Sequence, residues 1–151
     1  MGQTWEPSGS RNRSTESADA SAAERLAAEP AAAPPPPSRE PAQHVAVITC
    51  MDARIDPLAV LGLRLGDANV LRNAGATVSD DVLRSLQAAE SLLGVRRAVL
   101  MGHTDCAGHA SDEAAASALA DGARRIRDAM PDSFAVETLV YDVATGAVTP
   151  V

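Results

Sequence analysis

The sequence predicts an α/β fold, a mainly parallel central sheet flanked by helices, with a disordered tail in front of it. Three observations lead there. Short runs of β-branched apolar residues alternate with longer runs of helical spacing. Two of the short runs, His44–Thr49 and Arg97–Met101, lack polar alternation, as strands covered on both faces do. Seven of the ten prolines lie in residues 1–41, ahead of the first strand.

Residues 1–40 are mostly Ala, Ser, Pro, Arg and Glu, and their large apolar side chains are Trp5 and Leu26. So little apolar surface cannot offset the entropy of ordering the chain. The run Pro34–Pro37 favours an extended backbone. A short helix over Ala18–Ala28 is the one regular element this composition supports.

Residues 41–151 are expected to form the folded domain, with a core of aliphatic residues because Phe134 and Tyr141 are its only aromatics. His44–Thr49 is the first strand and stops at Cys50. Asp56-Pro57 starts a short helix, Asp as cap and Pro at the first helical position, and Gly62 ends it. Asn69–Leu71 is a second strand, with Arg72–Gly75 turning away from it. Ser79 caps the clearest helix, with Asp80 and Asp81 where the macrodipole favours acids. Val82, Leu86, Ala89 and Leu93 form its apolar face, and Gly94 stops it. Arg97–Met101 is a third strand, ended by Gly102. A helix runs from Ser111 to about Met130, before Pro131. Val136–Val143 is the last long strand, and Ala147-Val148 pairs back after a Thr145-Gly146 turn.

The net charge is −7, with Arg as the only basic residue type besides His. No basic stripe points to nucleic acid. No apolar run approaches a membrane span, and the N-terminus has neither a signal-peptide core nor, with Glu at position 6, a myristoylation pattern. The expected compartment is the cytoplasm. There an isolated disulfide between Cys50 and Cys106 is rare, which leaves core thiols, metal ligands or a redox pair.

Cys50 and His103 each follow a buried strand, and ligands gather outside the carboxyl ends of parallel strands. His103-Thr104-Asp105-Cys106 adds a second thiol at a spacing that lets a tight loop aim both side chains at one ion. Two thiols and an imidazole suit zinc with an open fourth position. Asp52 and Arg54 alternate with Cys50, so an extended stretch points all three the same way. Asp52 is then placed as a fourth ligand or as a hydrogen-bond acceptor beside the metal, and Arg54 as its bidentate partner.

Cys50-Met51-Asp52-Ala53-Arg54 with His103-Thr104-Asp105-Cys106 resembles the β-class carbonic anhydrases, and the spacing resembles their short bacterial members. Arg72–Gly75, Ser79–Leu86 and Tyr141–Gly146 resemble further segments of that family. The resemblance implies a β-carbonic-anhydrase-like fold and a carbonate dehydratase, a zinc lyase. It places Zn2+ on Cys50, His103 and Cys106 and makes Asp52 and Arg54 the catalytic pair. It implies CO2 and bicarbonate as substrates, reversible hydration by a metal-bound hydroxide, and a homodimer or higher homo-oligomer. Two thiolates should make the water less acidic than a tris-histidine site would, so turnover should be better on the alkaline side.

The segment after Cys106 is shorter than the family pattern, and Ala107-Gly108 replaces its usual Gly-apolar pair, so Ala107 is expected at a position suited to positive φ. Other residues read plainly. His109 is a solvated residue near a helix start, with proton shuttling the rival reading. His44 faces solvent, and Asp105 is a turn residue bonded to local backbone. Asn73 and Gly75 are turn residues or supports of the metal site. Arg124, Arg125 and Arg127 with Asp121 and Asp128 form a solvated helix face. The rival functions are hydrolysis of carbonyl sulfide or carbon disulfide on the same site, a catalytically weak zinc-binding paralogue, and a thiol redox protein.

Overall fold

A computed structural model describes residues 38–151. Trp5, Leu26, the helix expected over Ala18–Ala28 and the tail up to residue 37 lie outside the described residues.

Strand β1 (Val45–Cys50) is buried along its whole length, as its mostly apolar sequence requires, and the hydroxyl of its one polar residue, Thr49, donates to the Met101 carbonyl at 2.9 Å. Helix α1 (Pro57–Val60) follows, with the Asp56 carboxylate accepting from the Leu58 and Ala59 N–H groups and Pro57 at the first position. Strand β2 (Ala68–Asn73) leads into a 3-10 turn at Ala74–Ala76. Helix α2 (Asp80–Leu93) is capped by Ser79, whose side chain accepts from the Val82 N–H, and it ends on left-handed Gly94. Strand β3 (Arg97–His103), helix α3 (Asp112–Ala129, capped by Ser111), strand β4 (Ala135–Tyr141) and strand β5 (Val148–Pro150) complete the chain.

Several strand boundaries differ from the sequence reading, and three carboxyl ends show why. The second strand continues through Arg72 and Asn73, which pair with Thr49 and Cys50. The third does not stop at Gly102, because Gly102 and His103 pair with Val140 and Tyr141. The fourth ends at Tyr141 rather than Val143, because Asp142 closes a turn by accepting from the Ala144 and Thr145 N–H groups. Those two donors hold the Asp142 carboxyl below its ordinary range.

The sheet order is β2-β1-β3-β4-β5, parallel through β4 and antiparallel at β5. The chain steps one way from β1 to β2 and the other way from β2 to β3. Right-handed crossovers then put α1 on one face and the two long helices on the other. The packing agrees: Val82, Leu86 and Ala89 of α2 and Leu119, Ala123 and Ile126 of α3 join Ala46, Ile48, Ala98 and Leu100 of the sheet in one core. On the opposite face Val45, Val47 and Val99 pack against Leu61 and Leu63. Gly122 lets α3 approach closely, since a Cβ there would lie 2.8 Å from Val78 Cγ2 and 3.0 Å from Leu100 Cδ2.

Because the winding direction reverses around β1 and β3, their carboxyl ends border the crevice where open α/β sheets bind ligands. None of the described helices is long and apolar enough to cross a membrane.

Candidate metal centre

Cys50 is the last residue of β1, and His103 is the last of β3, its neighbour in the sheet. Cys106 follows in the loop. Their donor atoms all lie within 4.8 Å of one another, and all three residues are buried. The thiols are free, with the two Sγ atoms 3.8 Å apart. The His103 Nδ1–H donates to the Thr104 carbonyl at 2.9 Å, the kind of bond that orients a ligating imidazole. Its Nε2 is buried without a partner. A buried acceptor left unpaired costs free energy, so this lone pair beside two thiols fits a metal ion that it would coordinate.

Burial pushes the Cys50 thiol up, but contacts with His103, with the Asp52 and Gly75 backbone and with Cys106 outweigh it and bring the pKa down to about 7. The Gly75 N–H donates to Cys50 Sγ at 3.4 Å. Burial pushes the Cys106 thiol up, opposed only in part by the Gly108 backbone. Cys50 is therefore the thiol closer to its thiolate form at neutral pH, and Cys106 the more firmly protonated.

Arg54 meets Asp52 in a bidentate pair, Nε to Oδ1 at 3.0 Å and Nη2 to Oδ2 at 2.8 Å, but through a turn and not the expected extended stretch: the Ile55 N–H donates to the Asp52 carbonyl at 3.1 Å and the Arg54 N–H to Asp52 Oδ1 at 2.9 Å. Bonds from Arg54 hold the Asp52 carboxyl well below the usual carboxylate range. Asp52 stands beside the three donors rather than among them, its Oδ2 4.0 Å from His103 Nε2. Ile55, buried with Cys50, Met101 and Cys106, anchors the far end of this loop.

Two residues have parts in this arrangement that the sequence did not reveal. Arg72 donates from Nε to the Cys50 carbonyl at 3.0 Å and from Nη2 to the Asp52 carbonyl at 2.7 Å. An arginine inside an otherwise ordinary strand gives no hint of two carbonyls across the sheet. Asp105 does more than turn the chain. Its carboxylate accepts from Arg54 Nη1 at 2.9 Å and its carbonyl from Arg54 Nη2 at 3.0 Å. It also takes the left-handed backbone, at φ 54, which had been expected of Ala107. The chain must reverse between His103 and Cys106, and a short acidic residue tolerates that conformation better than alanine does.

His109 is half-buried and donates from Nε2 to the Gly75 carbonyl at 2.9 Å, so it is neither a free solvated ring nor placed among the donors. Gly75 is left-handed at φ 70, and a Cβ on Gly108 would meet the Gly75 nitrogen at 2.9 Å. The two glycines let the Cys106 loop lie against the turn after β2. Asn73 spans that turn, donating to the Thr77 carbonyl and accepting from its N–H, both at 2.7 Å. His44 is exposed and bonds the Gly94 carbonyl. On α3, Arg124 pairs with Asp121, but Arg125 and Arg127 reach the Val78 and Val136 carbonyls and tie the helix to its neighbours.

The site opens into a cleft of about 470 Å3 lined by Cys50, Met51, Asp52, Ala53, Ala74, Gly75, Ala107 and Gly108. Apart from Met51 and Asp52, small side chains make its wall.

Residues 45–138 match the family model described as carbonic anhydrase. The chain belongs to the β-carbonic anhydrase family. Among curated relatives, β-carbonic anhydrase 1 of Mycobacterium tuberculosis (strain H37Rv) is 52% identical over 66 residues, covering 44% of this chain and 40% of the relative. A carbon disulfide hydrolase of Saccharolobus solfataricus is 40% identical over 60 residues, covering 40% of this chain and 29% of the relative. These matches therefore span two fifths or less of those relatives' lengths. The crystal structure of a carbonic anhydrase from Streptococcus mutans superposes with a TM-score of 0.68 at 31% identity, covering 86% of this chain and 91% of that one. The β-carbonic anhydrase fold thus extends over most of the chain, although its sequence likeness to the curated relatives is concentrated in a shorter stretch.

Proposed function

We propose that this chain reversibly hydrates CO2 to bicarbonate, using one zinc ion held by Cys50, His103 and Cys106. The observation that carries the reading is the buried, unpartnered His103 Nε2 between two thiols, beside the Asp52–Arg54 pair. Zinc, when bound, supplies the Lewis acidity that makes water a nucleophile near neutral pH. The chain's own groups do the rest. Two thiolates and a neutral imidazole supply the donor charge. Asp52, kept ionised by Arg54, offers an acceptor that orients the nucleophile's hydrogen toward itself and its lone pair toward the cleft. Ala53, Ala74 and Ala107 leave room for a small apolar substrate. Should Arg54 let go, Asp52 would be free to join Cys50, His103 and Cys106 in holding the ion, which would close the site.

A second reading keeps the site and changes the substrate to carbonyl sulfide or carbon disulfide. The stretch shared with a carbon disulfide hydrolase favours it, as does the alanine-lined cleft. A third is a catalytically weak zinc-binding paralogue. Residues 41–151 are the proposed zinc-binding unit, with a cytoplasmic location suited to two free thiols. A homodimer or higher homo-oligomer is proposed from the β2 edge, where Val70 and Leu92 are exposed beside an apolar groove.

The test is zinc content with stopped-flow CO2 hydration on the purified chain, Asp52→Ala alongside, and hydrogen sulfide release from carbon disulfide. One zinc per chain and hydration that collapses in Asp52→Ala support the reading. One zinc with no hydration puts the paralogue ahead, and sulfide release without hydration puts the hydrolase ahead.

A further inference from the structure

We infer that Asp105 is a positioning residue that holds Arg54 onto Asp52 and so keeps Asp52 off the metal. The inference rests on the proposed metal site and adds a residue to it. Arg54 has five N–H donors. It spends them on two partners in different loops: Nε and Nη2 go to the Asp52 carboxylate, Nη1 goes to the Asp105 carboxylate, and Nη2 also reaches the Asp105 carbonyl. Asp52 alone would leave the guanidinium anchored on one side only. Asp105 supplies the other side from the loop that carries His103 and Cys106.

The backbone is arranged for this. Asp105 sits at φ 54, a conformation that non-glycine residues seldom adopt. Its N–H is held by the Asp112 carboxylate at the start of α3, at 3.0 Å. The turn thereby presents carbonyl and carboxylate to the same guanidinium. The Cys50 loop and the His103–Cys106 loop are joined through Arg54 as well as through the donors. Asp52 Oδ2 is already 4.0 Å from His103 Nε2, so a small rotation of a released carboxylate brings it to an ion bound there.

The experiment uses the full chain loaded with cobalt(II), whose visible absorption reports the donor set. Thiocyanate is the probe of an open fourth position. Asn keeps the turn's side-chain length and tolerates left-handed backbone, but it removes the charge that binds Arg54. An exposed ion pair of this kind supports about a fivefold bias between held and released Arg54. Asp105→Asn should therefore weaken thiocyanate binding about fivefold and shift the cobalt bands toward a fully protein-ligated site. Asp105→Gly, which frees φ and also lacks the carboxylate, should do the same. In an Asp52→Asn background Asp105→Asn should change nothing, because the competing ligand is gone.

Equal thiocyanate affinity in wild type and Asp105→Asn would overturn the inference. So would an equal loss in both backgrounds, or loss of cobalt binding by both Asp105 variants, since each assigns Asp105 to building the loop. A wild-type protein that binds cobalt and thiocyanate but hydrates no CO2 refutes the proposed activity and leaves this test intact.

Discussion

Replacing Gly75 with alanine should weaken the fold and the metal site together, and the structure gives the sizes. Gly75 lies at φ 70, where an L-residue costs about 1–2 kcal/mol. The restriction alanine places on the unfolded chain returns roughly half a kcal/mol to 1 kcal/mol of that. The new Cβ would also sit 2.7 Å from His109 Nε2. The ring is the free end of a side chain and can swing away, so the steric cost is small. What goes with it is the bond to the Gly75 carbonyl, worth about 1 kcal/mol. The total is about 2 kcal/mol, which for a domain of this size lowers Tm by about 10 °C. Cys50 Sγ loses alignment with the Gly75 N–H, so its thiolate becomes harder to form. The assay is thermal unfolding of metal-free Gly75→Ala, His109→Ala and the double variant, with zinc affinity measured on each. The backbone cost should persist in the double variant, whereas the hydrogen-bond part should not be counted twice, leaving about 1 kcal/mol of coupling. A Gly75→Ala protein within a degree of wild type, or strictly additive variants, would refute the reasoning.

Zinc affinity should depend on pH in two regimes. The Cys50 thiol in the metal-free protein titrates near pH 7, while burial keeps Cys106 protonated to higher pH than usual. Above pH 7 binding displaces about one proton and below it about two, so competition titrations should show affinity falling about tenfold per pH unit and then about a hundredfold. A single slope across pH 7 contradicts the assignment of Cys50. Arg72→Lys should weaken zinc binding about tenfold, because one ammonium cannot serve both carbonyls that Arg72 holds; unchanged affinity by competition with a chelator counts against it. Gly122→Ala should cost about 1–3 kcal/mol in urea unfolding, since its Cβ meets Val78 and Leu100 in the core. An unchanged midpoint there means that α3 shifts freely.

The residues that bring the site together were legible because each carries its own local signal. Cys50 and His103 close apolar strands, and Asp52 and Arg54 stand at alternate positions after Cys50, although the stretch that carries them folds as a turn and not as the extended chain the sequence suggested. Caps were equally plain, as Asp56, Ser79 and Ser111 show. What escaped were bonds between segments distant in the chain. Nothing near Arg72 announces the Cys50 and Asp52 carbonyls, because strand pairing brings them together. Asp105 was read from its neighbours, although its principal partner is 51 positions away. The left-handed residue was assigned to Ala107 by pattern, whereas the reversal from His103 to Cys106 needs it at Asp105. Strand ends were misplaced where pairing partners, rather than glycine, decide the boundary, as at Gly102.

The sheet order has a kinetic consequence. β1 lies between β2 and β3, so the first strand of the sheet in the chain is an interior one whose neighbours both come later. Its partner β3 arrives only after β2 and α2 have been passed, and such distant parallel pairing is slow to form. Cys50 meets the His103–Cys106 pair only when that step is complete. A zinc ion held by all three donors would therefore reward the finished crossover more than guide the search for it. Added metal should leave the refolding rate nearly unchanged and slow unfolding instead, so a bound ion would work as a latch on the molecule's lifetime rather than as a template for its assembly.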